Sequence, residues 1–205
     1  MIAVIDYSVG NPGSILNMLR KIGAKAELSA DEKVLSRANK LILPGVGAFD
    51  TGMANLRVKN LIPLLDELVM KKEIPILGIC LGMQLLGKGS EEGIAEGLGW
   101  LNFTSVRFKF VESDKKLKVP HMGWNNIFVR RSSLLLKELS VDSRYYFVHS
   151  YYAHPNEPQI ILAETSYGIN FASVLQKNNI FGVQFHPEKS HRFGLQLLRN
   201  FAECC

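Results

Sequence analysis

The sequence has 205 residues, of which 47% are hydrophobic and 21% are charged, and its formal net charge is +5. This composition is that of an ordinary globular protein with one substantial core, so we expect a single domain over residues 1–205. It excludes a membrane-spanning helix, and the first residues lack the pattern of a signal peptide. The three cysteines form no disulfide framework, which predicts a reducing, cytoplasmic setting.

The first half of the sequence alternates strand and helix signals. Apolar runs predict strands at residues 2–6, 26–28, 41–43 and 75–79. Helical spacing of apolar residues predicts helices at 14–22, with Ser14 as the N-cap, at 61–72 and at 81–86. Strands that alternate with helices favour an α/β fold with a mostly parallel sheet.

The second half changes character. Apolar and polar residues alternate with a period of two from residue 100 to residue 129, which predicts antiparallel hairpins. Further strands are predicted at 145–150, 160–163, 172–176 and 180–186, followed by a closing helix at 194–203.

Basic residues are densest between positions 107 and 118, where they surround Phe108 and Phe110. Glu112 and Asp114 interrupt this basic stretch, and no nucleic-acid-binding motif accompanies it. We therefore favour a solvated hairpin and expect no nucleic-acid partner, although a docking surface for an acidic partner stays open. The histidines show no metal-ligand spacing with the cysteines, so we also expect no metal site.

The sharpest local signal is the segment from Gly78 to Gly82. There an apolar strand runs directly into a helix through Gly-Ile-Cys-Leu-Gly, the pattern of a nucleophile elbow with cysteine as the nucleophile. Such a turn would expose Cys80 at the carboxyl end of the sheet and at a helix N-terminus, whose dipole favours a thiolate. The backbone N–H of Leu81 would be free to bind an oxyanion. A buried structural cysteine is the alternative interpretation.

A thiol nucleophile needs a base, and His186 is the best-placed candidate. It ends the predicted strand at 180–186, so it would lie at the same edge of the sheet as Cys80. Glu188 follows after Pro187 and could hold the far nitrogen of the imidazole. Taken alone, a strand-end histidine and a solvated carboxylate explain this pair equally well. The combination with Cys80 favours a Cys-His-Glu triad.

Three segments resemble the signature motifs of the class I, or triad, glutamine amidotransferases. They are Leu-Pro-Gly-Val-Gly at 43–47, Gly-Ile-Cys-Leu-Gly-Met-Gln-Leu-Leu at 78–86 and Gly-Val-Gln-Phe-His-Pro-Glu at 182–188. Further segments at 90–93, 119–125 and 146–151 make the sequence most similar to the glutaminase subunits of imidazole glycerol phosphate synthase. The resemblance implies a flavodoxin-like α/β fold, with helices on both faces of a mostly parallel central sheet.

The same resemblance implies a glutaminase activity. Glutamine would be hydrolysed to glutamate and ammonia through a glutamyl thioester, with no cofactor. The implied triad is Cys80 as nucleophile, His186 as base and Glu188 as the acid that orients it. The residues implied for the oxyanion hole are Leu81, Val46 and Gly47, and those implied for glutamine binding are Gly47, Gln84, Ser150 and Tyr151.

The relatives act with a second subunit, so the resemblance implies a heterodimer with a cyclase of (β/α)8 fold. That cyclase would use the ammonia to form imidazole glycerol phosphate and AICAR in histidine biosynthesis. The residues implied for the interface are Pro120, His121, Met122, Trp124 and Asn125. A core hairpin is the alternative for Trp124, and we expect His121 and His149 to be structural or interface residues rather than bases.

Departures from the relatives leave the pathway open. Segments at 99–100, 151–154 and 189–194 resemble a paralogous branch that supplies ammonia for amidated surface sugars. A third interpretation is a free-standing γ-glutamyl hydrolase, in which the segment at 119–125 would have no role. A fourth is a non-catalytic binding module, and the intact Cys-His-Glu set argues against it.

Overall fold

The computed structural model describes residues 1–110, 117–140 and 142–205, and a large mixed sheet lies at its centre. Strands β1 to β13 are Ile2–Ile5, Ala26–Ser29, Lys40–Leu43, Ile76–Ile79, Gly89–Ser90, Phe103–Arg107, His121–Asn126, Phe128–Val129, Arg144–His149, Tyr151–Pro155, Ile161–Tyr167, Ile169–Lys177 and Ile180–Val183. Helices α1 to α6 are Pro12–Lys21, Glu32–Ser36, Phe49–Val58, Ile62–Asp66, Leu81–Leu85 and His191–Cys204. Within the described ranges no helix is long and apolar enough to span a membrane.

Five strands form the parallel part of the sheet, in the order β2, β1, β3, β4 and β13. Strands β1, β4 and β13 are buried at every position, because helices or loops cover both faces. Alternate side chains of β4 enter two different cores: Ile76 packs into one, and Leu77 and Ile79 pack into the other. The predicted α/β fold with a mostly parallel central sheet is confirmed.

Antiparallel hairpins are confirmed in the second half, where β11 pairs with β12 and β12 pairs with β13, but the strands between residues 100 and 129 pair differently from the prediction. Strand β6 pairs with β10, and β7 pairs with β9 in a separate two-stranded sheet. The prediction of local hairpins between residues 100 and 129 is therefore wrong for the described residues. A period of two shows which face a strand buries, but it does not show which strand is its partner. Positions 111–116, which include Glu112 and Asp114 of the basic stretch, lie outside the described residues.

Helix α1 begins at Pro12, so the prediction of Ser14 as its N-cap is wrong. Proline suits the first helical position, because its fixed φ is helical and its missing N–H needs no acceptor there. Helices α2 and α3 were not predicted. Asp31 caps α2 by accepting hydrogen bonds from the N–H groups of Lys33 and Val34, a signal that the sequence contained.

Helix α5 packs so closely on the end of β3 that two glycines are required. A Cβ atom at Gly82 would overlap the carbonyl oxygen of Leu43, and one at Gly78 would lie 2.8 Å from backbone atoms of Gly82 and Met83. Neither glycine has a positive φ, so close backbone approach is the reason for both of them. This explains the two glycines on either side of Cys80.

We expect Gly82→Ala to lower the free energy of unfolding by about 2–4 kcal/mol, because helix α5 must move away from β3 to make room for the methyl group. The matched control is Gly13→Ala in helix α1, where the added Cβ would lie 3.5 Å from the nearest atom, Asn11 Oδ1. That change should stabilise the fold by up to about 1 kcal/mol. Urea unfolding followed by circular dichroism measures both, and equal stabilities would contradict the close packing.

Candidate active site

Cys80 forms the turn between β4 and α5, with φ 53° and ψ −109°. A positive φ is strained for a residue with a side chain and persists only where the surroundings enforce it. Here the N–H of Cys80 donates a 2.8 Å hydrogen bond to the carbonyl oxygen of Val183 on β13. The sheet on one side and the packed helix on the other hold the strained elbow that the sequence predicts.

His186 and Glu188 lie on the turn that follows β13. His186 Nδ1 and Glu188 Oε1 are 2.7 Å apart, and their side chains are only 1% and 6% exposed. The carboxylate accepts, so Nδ1 carries a proton, and the other ring nitrogen faces away from Glu188. Among the described residues that nitrogen, Nε2, has no hydrogen-bond partner. A buried ring nitrogen without a partner is available to a thiol or to a substrate.

Ser190 fixes the position of this turn, and the sequence analysis did not identify it. Its hydroxyl donates to the carbonyl oxygen of His186 at 2.6 Å and accepts from the N–H of Tyr146 at 3.0 Å. The N–H of His186 in turn donates to the carbonyl oxygen of Tyr146 at 2.9 Å. The turn is thereby tied to β9, which sets the imidazole in place.

The electrostatics of the site favour a charged imidazole. Burial lowers the pKa of His186, but its interactions with Cys80 and Glu188 outweigh burial and raise the pKa to about 10. Gln184, which is fully buried, donates from Nε2 to Cys80 Sγ at 3.8 Å. This contact directs a hydrogen-bond donor at the sulfur of the proposed nucleophile. The sequence identified Gln184 only as part of the motif at 182–188, because its contact with Cys80 depends on the three-dimensional fold.

Cys80 opens into a cavity of about 290 Å³, a volume near the lower end for small-molecule sites. The cavity is lined by Val46, Gly47, Cys80, Leu81, Gln84, Glu92, Pro120, Val148, His149, Ser150 and Tyr151. Every residue predicted for the oxyanion hole or for glutamine binding is among them. The structure thus places these residues in one cavity with the proposed nucleophile.

The loop after β3 reaches the cavity because it packs directly on α5. A Cβ atom at Gly45 would lie 2.8 Å from Leu81 Cβ and 2.7 Å from the hydroxyl of Tyr7, which itself donates to the Pro44 carbonyl oxygen. Gly47 has a φ of 121°, a conformation that favours glycine. Its backbone therefore faces the cavity without a side chain in the way.

Two residues that line the cavity, Gln84 and Glu92, add to what the sequence predicts. Gln84 donates from Nε2 to the Tyr151 carbonyl oxygen at 3.1 Å and to Gln184 Oε1 at 3.2 Å, so it also holds the cavity wall. Glu92 was not predicted as a site residue. Its Oε2 accepts from the N–H of Phe49 at 2.8 Å, at the start of α3. This brings a carboxylate into the cavity, where it can receive the ammonium group of an amino acid.

The residues predicted for a partner interface divide into two groups. Met122 and Trp124 on β7 are 60% and 43% exposed, and the ring of Trp124 stacks on His191. His121 is only 2% exposed, so its side chain is not on the surface, which agrees with the structural role that the sequence left open for it beside the interface role. The alternation along β7 explains this, because His121 points to the opposite face from Met122.

Comparisons with known proteins agree with this geometry. Residues 3–204 match the family model described as glutamine amidotransferase class-I. Over 203 residues the chain is 52% identical to imidazole glycerol phosphate synthase subunit HisH 2 of Pseudomonas aeruginosa, covering 99% of each sequence. It is 51% identical over 201 residues to the subunit HisH 2 of Methanococcus maripaludis, covering 98% of each.

Solved structures show the same fold at much lower identity. A glutamine amidotransferase from Thermotoga maritima superposes with a TM-score of 0.70 at 18% identity, over 98% of this chain and 96% of that one. The full-length family match and the identity with the HisH subunits are the stronger findings. This chain therefore belongs to the class I glutamine amidotransferase family, among the HisH subunits.

Proposed function

We propose that this chain is the glutaminase subunit of an imidazole glycerol phosphate synthase in histidine biosynthesis, with Cys80, His186 and Glu188 as its catalytic residues. The observation that carries the proposal is a strained cysteine elbow that opens into a small cavity and interacts with the histidine of a buried His–Glu pair. Membership in the HisH subunits supports the same activity.

In the first half of the reaction, Cys80 Sγ attacks the side-chain amide carbon of glutamine and forms a tetrahedral oxyanion. The N–H of Leu81, which begins α5 and has no acceptor within that helix, stabilises the oxyanion together with an amide of the 46–47 loop. His186 then gives its Nε2 proton to the departing nitrogen. The carbon–nitrogen bond breaks, and ammonia and a glutamyl thioester are formed.

In the second half, neutral His186 takes a proton from a water molecule as the water attacks the thioester carbonyl. The carbon–sulfur bond breaks, glutamate leaves and the thiolate–imidazolium pair is restored. Glu188 keeps the proton on Nδ1 throughout, so Nε2 always faces the reacting atoms. Buried Glu188 stabilises the imidazolium of the thiolate–imidazolium pair, from which the first half starts and to which the second half returns.

We infer that residues 1–205 form one glutamine amidotransferase unit that passes its ammonia to a synthase subunit. The partner would be a cyclase of (β/α)8 fold in a heterodimer. The exposed Met122 and Trp124 on β7, next to the cavity residue Pro120, support this choice of surface. Aromatic side chains and methionine are enriched at such interfaces.

Cys80→Ala should lower glutamate release from glutamine by at least about 1,000-fold, because no other group can form the thioester. The assay uses wild type and variant alone, with a cognate cyclase subunit, and with that subunit plus its nucleotide ligand. Cys204→Ala is the matched control and should keep full activity.

Full activity in Cys80→Ala would refute the triad. Wild-type activity that does not change when the cyclase subunit is added would refute the cyclase as the partner and would favour a sugar amidotransferase as the partner. A histidine auxotroph lacking its own glutaminase subunit gives an independent check, because the chain should restore its growth.

Glu188→Gln should move the alkaline limb of kcat/KM to lower pH by about one pH unit or more. The pKa of His186 is raised to about 10 in part by the Glu188 charge, so the imidazolium is lost at a lower pH when that charge is removed. Glu67→Gln, on the surface beside Lys71, is the control. An unchanged alkaline limb would show that Glu188 does not support the imidazolium.

Trp124→Ala should raise the Kd for the cyclase subunit by about tenfold or more, as expected for an exposed aromatic anchor. Isothermal titration calorimetry measures the change. Val58→Ala, which truncates an 86% exposed side chain on α3, is the control and should leave the Kd unchanged. Equal affinities for both variants would place the interface elsewhere.

A further inference from the structure

Two histidines that the mechanism does not use are paired in the interior next to the glutamine cavity. His121 begins β7, His149 ends β9, and they are opposite each other in the strand register. They are 2% and 6% exposed, and His121 Nδ1 is 3.0 Å from His149 Nε2. His149 also lines the cavity. A buried pair of polar rings at this place needs an explanation beyond packing.

The hydrogen bonds of this pair run in one direction. His149 Nδ1 is 2.7 Å from the carbonyl oxygen of Tyr151, which can only accept, so Nδ1 carries the proton. His149 Nε2 must then accept from His121 Nδ1. His121 Nε2 in turn accepts from Asn125 Nδ2 at 3.2 Å. We name the series Asn125, His121, His149 and the Tyr151 carbonyl the histidine network.

Both rings fit this arrangement as neutral groups. Burial lowers the pKa of His121 to about 4 and is the main cause that lowers the pKa of His149 to about 3. Each neutral ring has one donor and one acceptor, and the network uses all four positions. A leucine or phenylalanine could fill the same volume, but it would leave Asn125 and the Tyr151 carbonyl without these partners.

The network continues to the nucleophile. The Tyr151 carbonyl oxygen also accepts from Gln84 Nε2 at 3.1 Å, and Gln84 donates to Gln184 Oε1 at 3.2 Å. Gln184 donates to Cys80 Sγ at 3.8 Å. Hydrogen bonds therefore connect a residue of β7 to the sulfur through the wall of the cavity.

The other end of the network is attached to the surface. Asn125 Nδ2 also donates to the carbonyl oxygen of Ser166 on β11 at 3.0 Å. Asn125 lies on the same strand as the exposed Met122 and Trp124. A shift of β7 would therefore change the hydrogen bonds of His121 first, and through them the position of the residues that line the cavity.

From this geometry we propose that His121 and His149 are positioning residues for the glutaminase reaction. They hold the Tyr151 carbonyl in place, and the carbonyl in turn holds Gln84 and Gln184 against Cys80. They thereby couple β7 to the glutamine cavity. The inference rests on the proposed function for its kinetic meaning. The connectivity itself rests only on the distances given above.

Two conservative substitutions separate the two bonds of His149. The amide nitrogen of His149→Asn lies near the position of Nδ1 and can still donate to Tyr151. The amide oxygen of His149→Gln lies near the position of Nε2 and can still accept from His121. We expect His149→Gln to raise KM for glutamine by about three- to tenfold with a smaller change in kcat, as expected for one lost hydrogen bond. His149→Asn keeps the bond to Tyr151 and loses only the bond to His121, so it should raise KM by about two- to fivefold, as Asn125→Ala should.

The coupling to β7 is tested by a double-mutant cycle. Asn125→Ala should raise KM about two- to fivefold in the wild-type background and should have no further effect in His149→Asn, where the link to His121 is broken. Thr165→Val is the packing control, because the Thr165 hydroxyl is fully buried and has no partner among the described residues. It should leave KM unchanged whatever its effect on Tm.

A second measurement needs no turnover. The rate of Cys80 alkylation by iodoacetamide, followed by peptide mass mapping to separate it from Cys204 and Cys205, should differ at least about threefold between wild type and His149→Gln, with His149→Asn between the two. If wild type hydrolyses glutamine and all variants share its KM and alkylation rate, the positioning role is overturned. If wild type shows no glutaminase activity in any complex, the proposed function fails, and the alkylation contrast still decides the network.

Discussion

The close approach of helix α5 to the end of β3 is the constraint on which the site depends. Because Gly82 lets the helix touch the Leu43 carbonyl, the first turn of α5 and the loop after β3 occupy the same small region. Leu81 and the 46–47 loop thus line the same cavity as Cys80. The strained φ of Cys80 follows from the same packing, since the chain must turn sharply between a paired strand and a fixed helix.

The second half of the chain supplies the base and part of the cavity wall. Strand β13 pairs with β4, so its end brings His186 to the same edge of the sheet as Cys80. Strand β9 then fixes the turn through Tyr146 and Ser190, and its last residue, His149, leads into the cavity wall. The parallel strands β4 and β13 therefore bring the nucleophile and the base to one edge of the sheet, and the antiparallel strand β9 fixes the turn of the base and leads into the wall of the glutamine cavity.

The sequence predicts features that depend on local backbone geometry, and it predicts less well the features that depend on which distant strands pair. The elbow at Cys80 and the strand ending near His186 could be predicted, because glycine spacing and apolar runs report backbone geometry directly. The pairing of β7 with β9 could not, because a period of two does not identify a partner strand. For that reason neither the contact between His121 and His149 nor the hydrogen bond from Gln184 to Cys80 could be predicted, and His121 stayed open between a structural and an interface role.

A series of hydrogen bonds connects strand β7 to the cavity and to Cys80. From Asn125 to the Tyr151 carbonyl the donors point toward the cavity, and from Gln84 through Gln184 they point toward the sulfur. Gln184 holds its donor against Sγ, and Gln84 holds Gln184 in turn. Any movement that weakens the Tyr151–Gln84 contact therefore loosens the side chains that hold this donor in place. The cavity wall that we propose to bind the substrate thus also positions the group that contacts the nucleophile.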